Sequence, residues 1–583
     1  MSSENTTTDQ ATDLINLKIF LNGAVMSGEY RIMAVDIVKC YNKIATARFV
    51  LADGDPAKQD FVISSTEESL TPGNVLEIQL GYHTKSKTVF KGIITGQIIK
   101  AGKNNHPMLM IEAKDKTFKL AIGRQNDCYI DKKDSDIFED IAQAAGIADT
   151  DIQPTASSHK EMVQYNTSHW DFILSRSEMN GMLVLTDDNK LIIQKPDTAK
   201  KAALTITYGV DVMEFETAID ARWQLSNVKS YAWNYQDQKV EESQEASVQF
   251  KESGNLQSSK LAGDITIPEE HLTHSGSLTS DELKQWSNAK LLKSKLAKIL
   301  GRIKVRGTTD VKPGDMIELK GFGKRFNGNL LVTGINHNYD KSIWETDIQF
   351  GMPVQWFYKK EDIVEKPAAG LVPGINGLQI GIVIQLENDP DGQDRVKIQL
   401  PLVDEHDGLW ARIACTDAGD GRGSFFRPEL RDEVIVGFIN DDPRHPVILG
   451  MLNSSAKPAP LQAKDVNHEK GFITRSKMKV LFNDDKKTIN IETPKGKKII
   501  LDEDGDAITV SDDHNNKISL SQSGVVIESG KDISLKAAMG NIKLEALNIE
   551  NKANVKFSAE GTASSEINSS GMTVIKGSIV NIN

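Results

Sequence analysis

Hydrophobic and polar residues alternate with period two over much of this chain, most regularly near its end. Residues 488–492, 507–510, 517–521, 532–536, 541–545 and 554–558 each place apolar side chains at every second position. Turn-forming runs separate them, notably Asp502-Glu-Asp-Gly505, Asp512-Asp-His-Asn-Asn516 and Ser529-Gly530. That spacing predicts short strands with one apolar face, broken about every nine or ten residues. Each strand offers two or three apolar side chains worth about 1.5–3 kcal/mol apiece when fully buried, and no amphipathic helix in the stretch could cover them. A single-chain solenoid needs about 20 or more residues per coil, twice the length of these segments. Three copies wound about one axis would close the core and pair every strand edge. The competing arrangement is an antiparallel meander packed on another domain. The pattern favours a stiff, self-associated rod over 477–583.

Upstream, strands are predicted at 17–21, 45–50, 75–80, 88–95 and 108–113, punctuated by Asp53-Gly-Asp-Pro56 and Thr71-Pro-Gly73, a barrel or curled sheet. Two helices follow. One opens at Ser135, carries Ile137, Phe138 and Ile141 and stops at Gly146; the other is capped by Ser168 with Asp171 three residues on and stops at Gly181. A hairpin joins 182–185 to 190–194 through Asp187-Asp-Asn189. The Gln-, Glu- and Ser-rich run 236–259 is expected to be an exposed excursion. A longer helix begins with the Thr279/Glu282 capping box and carries Leu283, Trp286, Ala289, Leu292, Leu296 and Ile299 before Gly301. Strands at 316–319, 330–333 and 344–350 end the first half. A Pro- and Gly-bearing linker, 365–376, leads to five strands within 377–455, a small closed barrel. A second linker, 456–476, leads to the rod, and residues 1–13 are expected to be disordered.

Composition narrows the function. In 583 residues there are 69 Lys and Arg against 81 Asp and Glu, a formal net charge of -12 with no long basic run, which argues against duplex nucleic acid as a partner. The polar opening lacks the features of a secretory signal, and no stretch approaches the roughly 20 apolar residues of a membrane span. The chain is therefore expected to be made in the cytoplasm. Cys40, Cys128 and Cys415 are odd in number and far apart, so no disulfide framework or zinc motif is expected.

Candidate chemistry is sparse. Ala418-Gly-Asp-Gly-Arg-Gly423 lacks the Lys-Ser/Thr and the helix of a phosphate loop and reads better as a barrel loop. His271 and His274 with Glu269 and Glu270 lack zinc-helix spacing and read as a solvated turn. His514 lies among turn formers and could bind metal only by meeting symmetry mates on an axis. Asp389, Asp391 and Asp394 miss the helix-flanked calcium loop. No nucleophile elbow appears. No catalytic residue, cofactor or metal is assigned.

The ordered motifs of the barrel carry a family resemblance. Asp391-Gly-Gln-Asp-Arg-Val-Lys397, Trp410-Ala-Arg412, Ala418-Gly419, Phe426-Arg-Pro-Glu429, Asp432-Glu-Val-Ile-Val-Gly-Phe438 and Asp442-Pro-Arg-His-Pro-Val-Ile-Leu-Gly450 resemble the oligonucleotide/oligosaccharide-binding (OB) barrel of VgrG spikes from type VI secretion and related contractile injection machines. Lys312-Pro-Gly-Asp315, Phe326-Asn-Gly328, Gly334, His337, Thr346 and Gly351 look like the end of the hub domain which that family shares with phage baseplates.

The resemblance implies a mainly β protein with some α: a hub over 14–364 built of two barrel-like β subdomains plus helices, an OB barrel over 377–455, and an intertwined trimeric β-helix spike over 477–583. It implies a non-enzymatic homotrimer seated on a tube of Hcp-like protein and held among baseplate components. Effectors or adaptors would ride with it, and a PAAR-repeat tip protein would dock on Ile579, Val580, Asn581, Ile582 and Asn583. Such a machine punctures a target membrane and leaves the cell that made it. Phage spikes of this class can carry a lysozyme domain before the rod and some family members an effector domain after it; with only the linker 456–476 before the rod and the rod read to Asn583, neither is expected here. A spike-borne cell-wall hydrolase and a trimeric adhesin or carbohydrate-binding protein are the alternatives.

Overall fold

Alternating apolar residues from Ile15 onward give long antiparallel strands whose buried positions share one face. The computed structural model describes residues 14–102, 105–265, 269–359, 363–403 and 407–582; the N-terminus 1–13 and the terminal Asn583 lie outside the described residues. The chain divides into two units, one running to Gly377 with Phe438–His445, the other formed by Leu378–Gly437 and the chain from Pro446 on.

The first unit is organised by a thirteen-stranded sheet. Its centre is the pairing of Ile32–Cys40 with Gly328–Asp340, which joins strands from the two ends of the unit. To one side follow Thr46–Ala52, Asn105–Lys114, Lys85–Gly102, Val75–Tyr82 and Ile15–Leu21, closing over Ile37, Phe49, Leu51, Leu76, Ile78 and Phe90. To the other follow Ile343–Phe350, Ile299–Arg306 and Val212–Ile219, with Ala202–Thr207 and Met316–Lys320 branching off, over a second core that includes Ile206, Ile303, Ile317 and Ile348. Gly334 lies where the halves meet. A Cβ there would stand 2.5 Å from Cys40 Sγ, so only glycine permits the approach.

Helices Asp134–Ala144 and His169–Met179 pack with the sheet Leu183–Asp187, Lys190–Gln194 and Thr150–Ile152 around Phe138, Ile173, Val184 and Leu191. Ser168 caps the second helix by accepting from the Asp171 N–H. The first begins one residue before the expected cap, so that Ser135 is buried inside its first turn.

Two expectations are corrected here. The long helix, Ser280–Leu296, keeps its Thr279/Glu282 capping box but stops before Ile299. Ile299 instead opens the strand Ile299–Arg306 and pairs with Ile219, because Ile299, Ile303 and Val305 alternate into the second core. Nor is 236–259 a free excursion. Lys239–Glu242 pairs with Val228–Asn234, Ser243 and Ser253 are buried, and Glu252 accepts from the buried Lys298 at 2.6 Å and from Lys295 at 3.1 Å. A buried ammonium demands such a partner, and hydropathy along the run does not reveal it.

In the second unit Gln379–Gln385, Val396–Gln399, Leu409–Ile413, Pro446–Met451 and Glu433–Phe438 close into a five-stranded barrel. Val383, Val396, Ile398, Ala411, Val434, Val436 and Ile448 are fully buried inside it, as the alternation predicted. Mainly β architecture with an OB-type barrel is thus the fold of the chain.

Candidate assembly surface

After the barrel the chain forms a seven-stranded antiparallel ribbon: Glu469–Ile473, Lys479–Asn483, Thr488–Glu492, Lys498–Asp502, Ala507–Ser511, Lys517–Ser521 and Gly524–Glu528. Every strand has five residues, so each register repeats the last. One apolar column runs through Phe482, Ile489, Leu501, Ile508, Leu520 and Val525, each directly opposite the next. A second runs through Phe472, Val480, Ile491, Ile499, Val510, Ile518 and Ile527. The columns sit two residues apart along each strand and therefore occupy the same face. Leu481, Asn490, Ile500, Thr509, Ser519 and Val526 form the row on the opposite face.

Each column borders an open trough, one of about 830 Å³ along Ile491, Ile499, Val510, Ile518 and Ile527, the other of about 430 Å³ along Ile489, Leu501, Ile508 and Leu520. Among the described residues nothing covers them: none after Ile448 is buried.

The ribbon differs from expectation at both ends. Its first strand, Glu469–Ile473, lies within the stretch read as a linker. Beyond Glu528 the expected strands at 532–536, 541–545 and 554–558 do not form within one chain, although Ile533, Leu535, Ile542, Leu544, Val555 and Phe557 retain the alternation and are exposed. A strand needs a neighbour for its N–H and C=O groups, and here the described residues supply none. Of the expected tip residues, Ile579, Val580, Asn581 and Ile582 are exposed, Ile582 to 85%, while Asn583 lies outside the described residues.

The ribbon's root is tied to the barrel by contacts that sequence reasoning missed. The Phe426 and Phe472 rings stack with centroids 5.2 Å apart at 12°, and Arg475 pairs with Glu429 at 2.8 Å. The available signal was a pair of adjacent aromatics, Phe425-Phe426, in a loop.

The other candidates resolve into structure. Arg395 reaches Asp389 at 2.6 Å and Asp391 at 2.5 Å, and Arg427 pairs with Asp394, so the aspartates brace a loop. The Arg395 hydrogen bonds hold Asp389 well below the usual carboxylate range. Arg444 does the same to Asp442, bringing it to about 2. Residues 418–423 form the small hairpin Ala418–Gly419/Arg422–Gly423. His271 and His274 lie in the strand Glu270–His274, His271 against Glu269 at 3.0 Å. His514 is exposed in a turn built by Asp512, whose Oδ1 accepts from the His514 and Asn516 N–H groups.

Of the hub motifs, Asp315 accepts from the Lys312 N–H, Asn327 from the Phe322 N–H, and His337 meets Thr346 at 3.1 Å. Burial pushes His337 down to about 3, which keeps it neutral. Among the described residues no group of three or more His, Cys, Asp or Glu is placed to hold a metal ion. No helix there is long and apolar enough to cross a membrane.

Comparison with known proteins decides the family. Residues 11–341, more than half of the chain, match the family described as the Alg8 N-terminal domain, and residues 379–452 match the type VI secretion system/phage-baseplate injector OB domain. The type VI secretion system spike protein VgrG1b of Pseudomonas aeruginosa is 22% identical over 442 residues, covering 69% of this chain and 57% of that protein. VgrG1a of the same organism is 25% identical over 191 residues, covering 30% and 29%. The chain is a VgrG-type spike protein whose first part is an Alg8 N-terminal domain.

It spans little more than half the length of VgrG1b. Among solved structures, this VgrG-type chain is similar to a 43 kDa prophage MuSo2 tail protein from Shewanella oneidensis, with a TM-score of 0.43 and 11% identity over 58% of this chain and 99% of that one. It is also similar to a chain of the Francisella PdpA-VgrG complex, with a TM-score of 0.39 and 10% identity over 88% and 79%.

Proposed function

We propose that this protein is the non-enzymatic hub and spike of a contractile injection machine, working as a homotrimer. One observation carries the reading: two unbroken apolar columns share a face of a ribbon in which nothing is buried. Three copies wound together put those columns inside and give the residues after Glu528 strand partners, so the rod's order comes from shared contacts. Such a rod resists bending because fraying any strand breaks contacts with two neighbours at once, and it would concentrate a driving force on a small area of target membrane. The hub would seat on a tube of Hcp-like protein among baseplate components, while Ile579, Val580, Asn581, Ile582 and Asn583 would receive a PAAR-type tip. Effectors or adaptors would travel with the assembly out of the cell that made it.

Native mass spectrometry of the full chain should give three copies. Removing residues 579–583 should abolish capture of a PAAR-type tip while leaving the mass of the assembly and the capture of tube protein unchanged. A monomer at micromolar concentration would overturn the reading.

A further inference from the structure

Apart from the spike, the first unit holds a cavity of about 980 Å³, within the range of built ligand sites. One wall is a stripe of the helix Ser280–Leu296 bearing Gln285, Asn288, Ala289 and Leu292. Others are the turn after Gln194, the segment 247–251 and, from the strand Thr150–Ile152, Asp151 and Ile152 with the two residues that follow. The walls are held by hydrogen bonds that consume part of their polarity: Ser247 N–H donates to Asn288 Oδ1 at 2.7 Å, and Lys195 N–H donates to Gln153 Oε1 at 2.9 Å.

Three features of the lining are unspent. First, Thr150–Ile152 is the outer strand of its sheet and pairs only with Lys190–Gln194. Leu191 N–H donates to Asp149 O and Gln153 N–H to Ile193 O, so alternation leaves the main chain of Thr150 and Ile152 on the open edge. Second, the side-chain amides of Gln194 and Gln249, donors and acceptors both, have no partner among the described residues. Third, Lys195, Lys200 and Lys251 line the cavity with no carboxylate in ion-pair range among the described residues. Of the two lining aspartates, Asp151 pairs with Lys190 at 4.0 Å and Asp197 accepts from the Ala199 N–H at 2.9 Å, so the three lysines outnumber the one carboxylate left without a cation. Three unanswered ammonium groups around one cavity are conspicuous in a chain of net charge -12.

An open strand edge takes an extended main chain, free amides read peptide groups, and lysines take carboxylates. We infer that this cavity binds an acidic stretch of another protein in extended form, with its main chain along Thr150–Ile152 and its carboxylates on Lys195, Lys200 and Lys251. A cargo or adaptor would thereby be held at the hub, by contacts independent of those proposed for the tip.

The test is fluorescence anisotropy on the full-length assembly with short labelled peptides of one length in three forms: Asp/Glu-rich, the matching Asn/Gln form, and Lys-rich. The acidic form should bind more tightly than the other two by about tenfold or more and weaken as salt rises. The K195E/K200E/K251E variant should invert the order and prefer the Lys-rich form. Equal binding of all three forms, no binding, or an unchanged preference in the variant would overturn the assignment. So would tighter binding of a sulfated oligosaccharide than of any peptide. Native mass on the same samples reports the oligomeric state, so failure of this site and failure of the spike reading are told apart.

Discussion

His159 is gripped by two carboxylates from different helices. Its Nε2 stands 3.2 Å from Asp134 and its Nδ1 3.2 Å from Glu282, while Arg176 and Asn180 also bind Asp134, all but out of water. The hydrogen bonds to Asp134 and then Glu282 raise the imidazole from 6.5 to about 9. Since the unfolded chain releases that proton at 6.5, the charged ring contributes stability that is complete below 6.5 and fades as pH rises through about 9. On the acid side the His159 contact lowers Glu282 from 4.5 to about 2, so its contribution is present above 4.5 and is lost as pH falls through about 2. Burial opposes ionisation of Asp134, yet His159 and Arg176 hold it well below the usual range. Replacing His159 by Gln leaves the buried Asp134 and the half-buried Glu282 each one partner short and should cost about 3 kcal/mol. Thermal melts across pH should show the gap between wild type and H159Q widest below 6.5 and closed above 9. No sequence neighbour of His159 marks it, because the cluster gathers side chains from four elements.

Single strands of the ribbon have two faces with opposite tolerances. Ile508 and Val510 belong to the two apolar columns, and Thr509 between them points the other way. Ile508→Lys or Val510→Lys should abolish assembly, each charge costing about 3 kcal/mol or more per copy if enclosed, whereas Thr509→Lys should leave the native mass unchanged. The root is a separate lever. Phe472→Ala deletes a stacked pair worth about 0.5–1.5 kcal/mol beyond its burial, so amide exchange over Glu469–Ile473 should quicken while Ala507–Ser511 keeps its rate. The column face was legible from period two, as were the hub strands and the barrel.

What escaped has local causes. Lys498–Asp502 and Gly524–Glu528 carry three successive apolar residues, which erase the period. Glu469–Ile473 has Gly471 at its centre and linker-like flanks. Residues 532–558 keep the alternation without forming strands in one chain, since alternation announces a face and is silent about which chain provides the neighbouring edge.

Across the whole molecule, self-sufficiency is uneven. The hub strands close over their own apolar residues and the barrel fills itself, so these parts can be ordered in one copy. Past Ile448 no described residue is buried, and past Glu528 even the strand ladder ends. On the proposed trimer, order past Glu528 comes from other copies, and that separates assembly from folding experimentally. In the intact assembly, amides in 532–558 should exchange as slowly as those in Ala507–Ser511, because both would be laddered. In a variant carrying Ile508→Lys, Val510→Lys and Ile518→Lys, the 532–558 amides should exchange at the rate of an unprotected chain. Amides in Ile32–Cys40 and Thr46–Ala52 should keep their protection. Slow exchange of 532–558 in the dissociated variant would mean that a single chain can order its own distal end, and the proposed trimer would lose the physical need that motivates it.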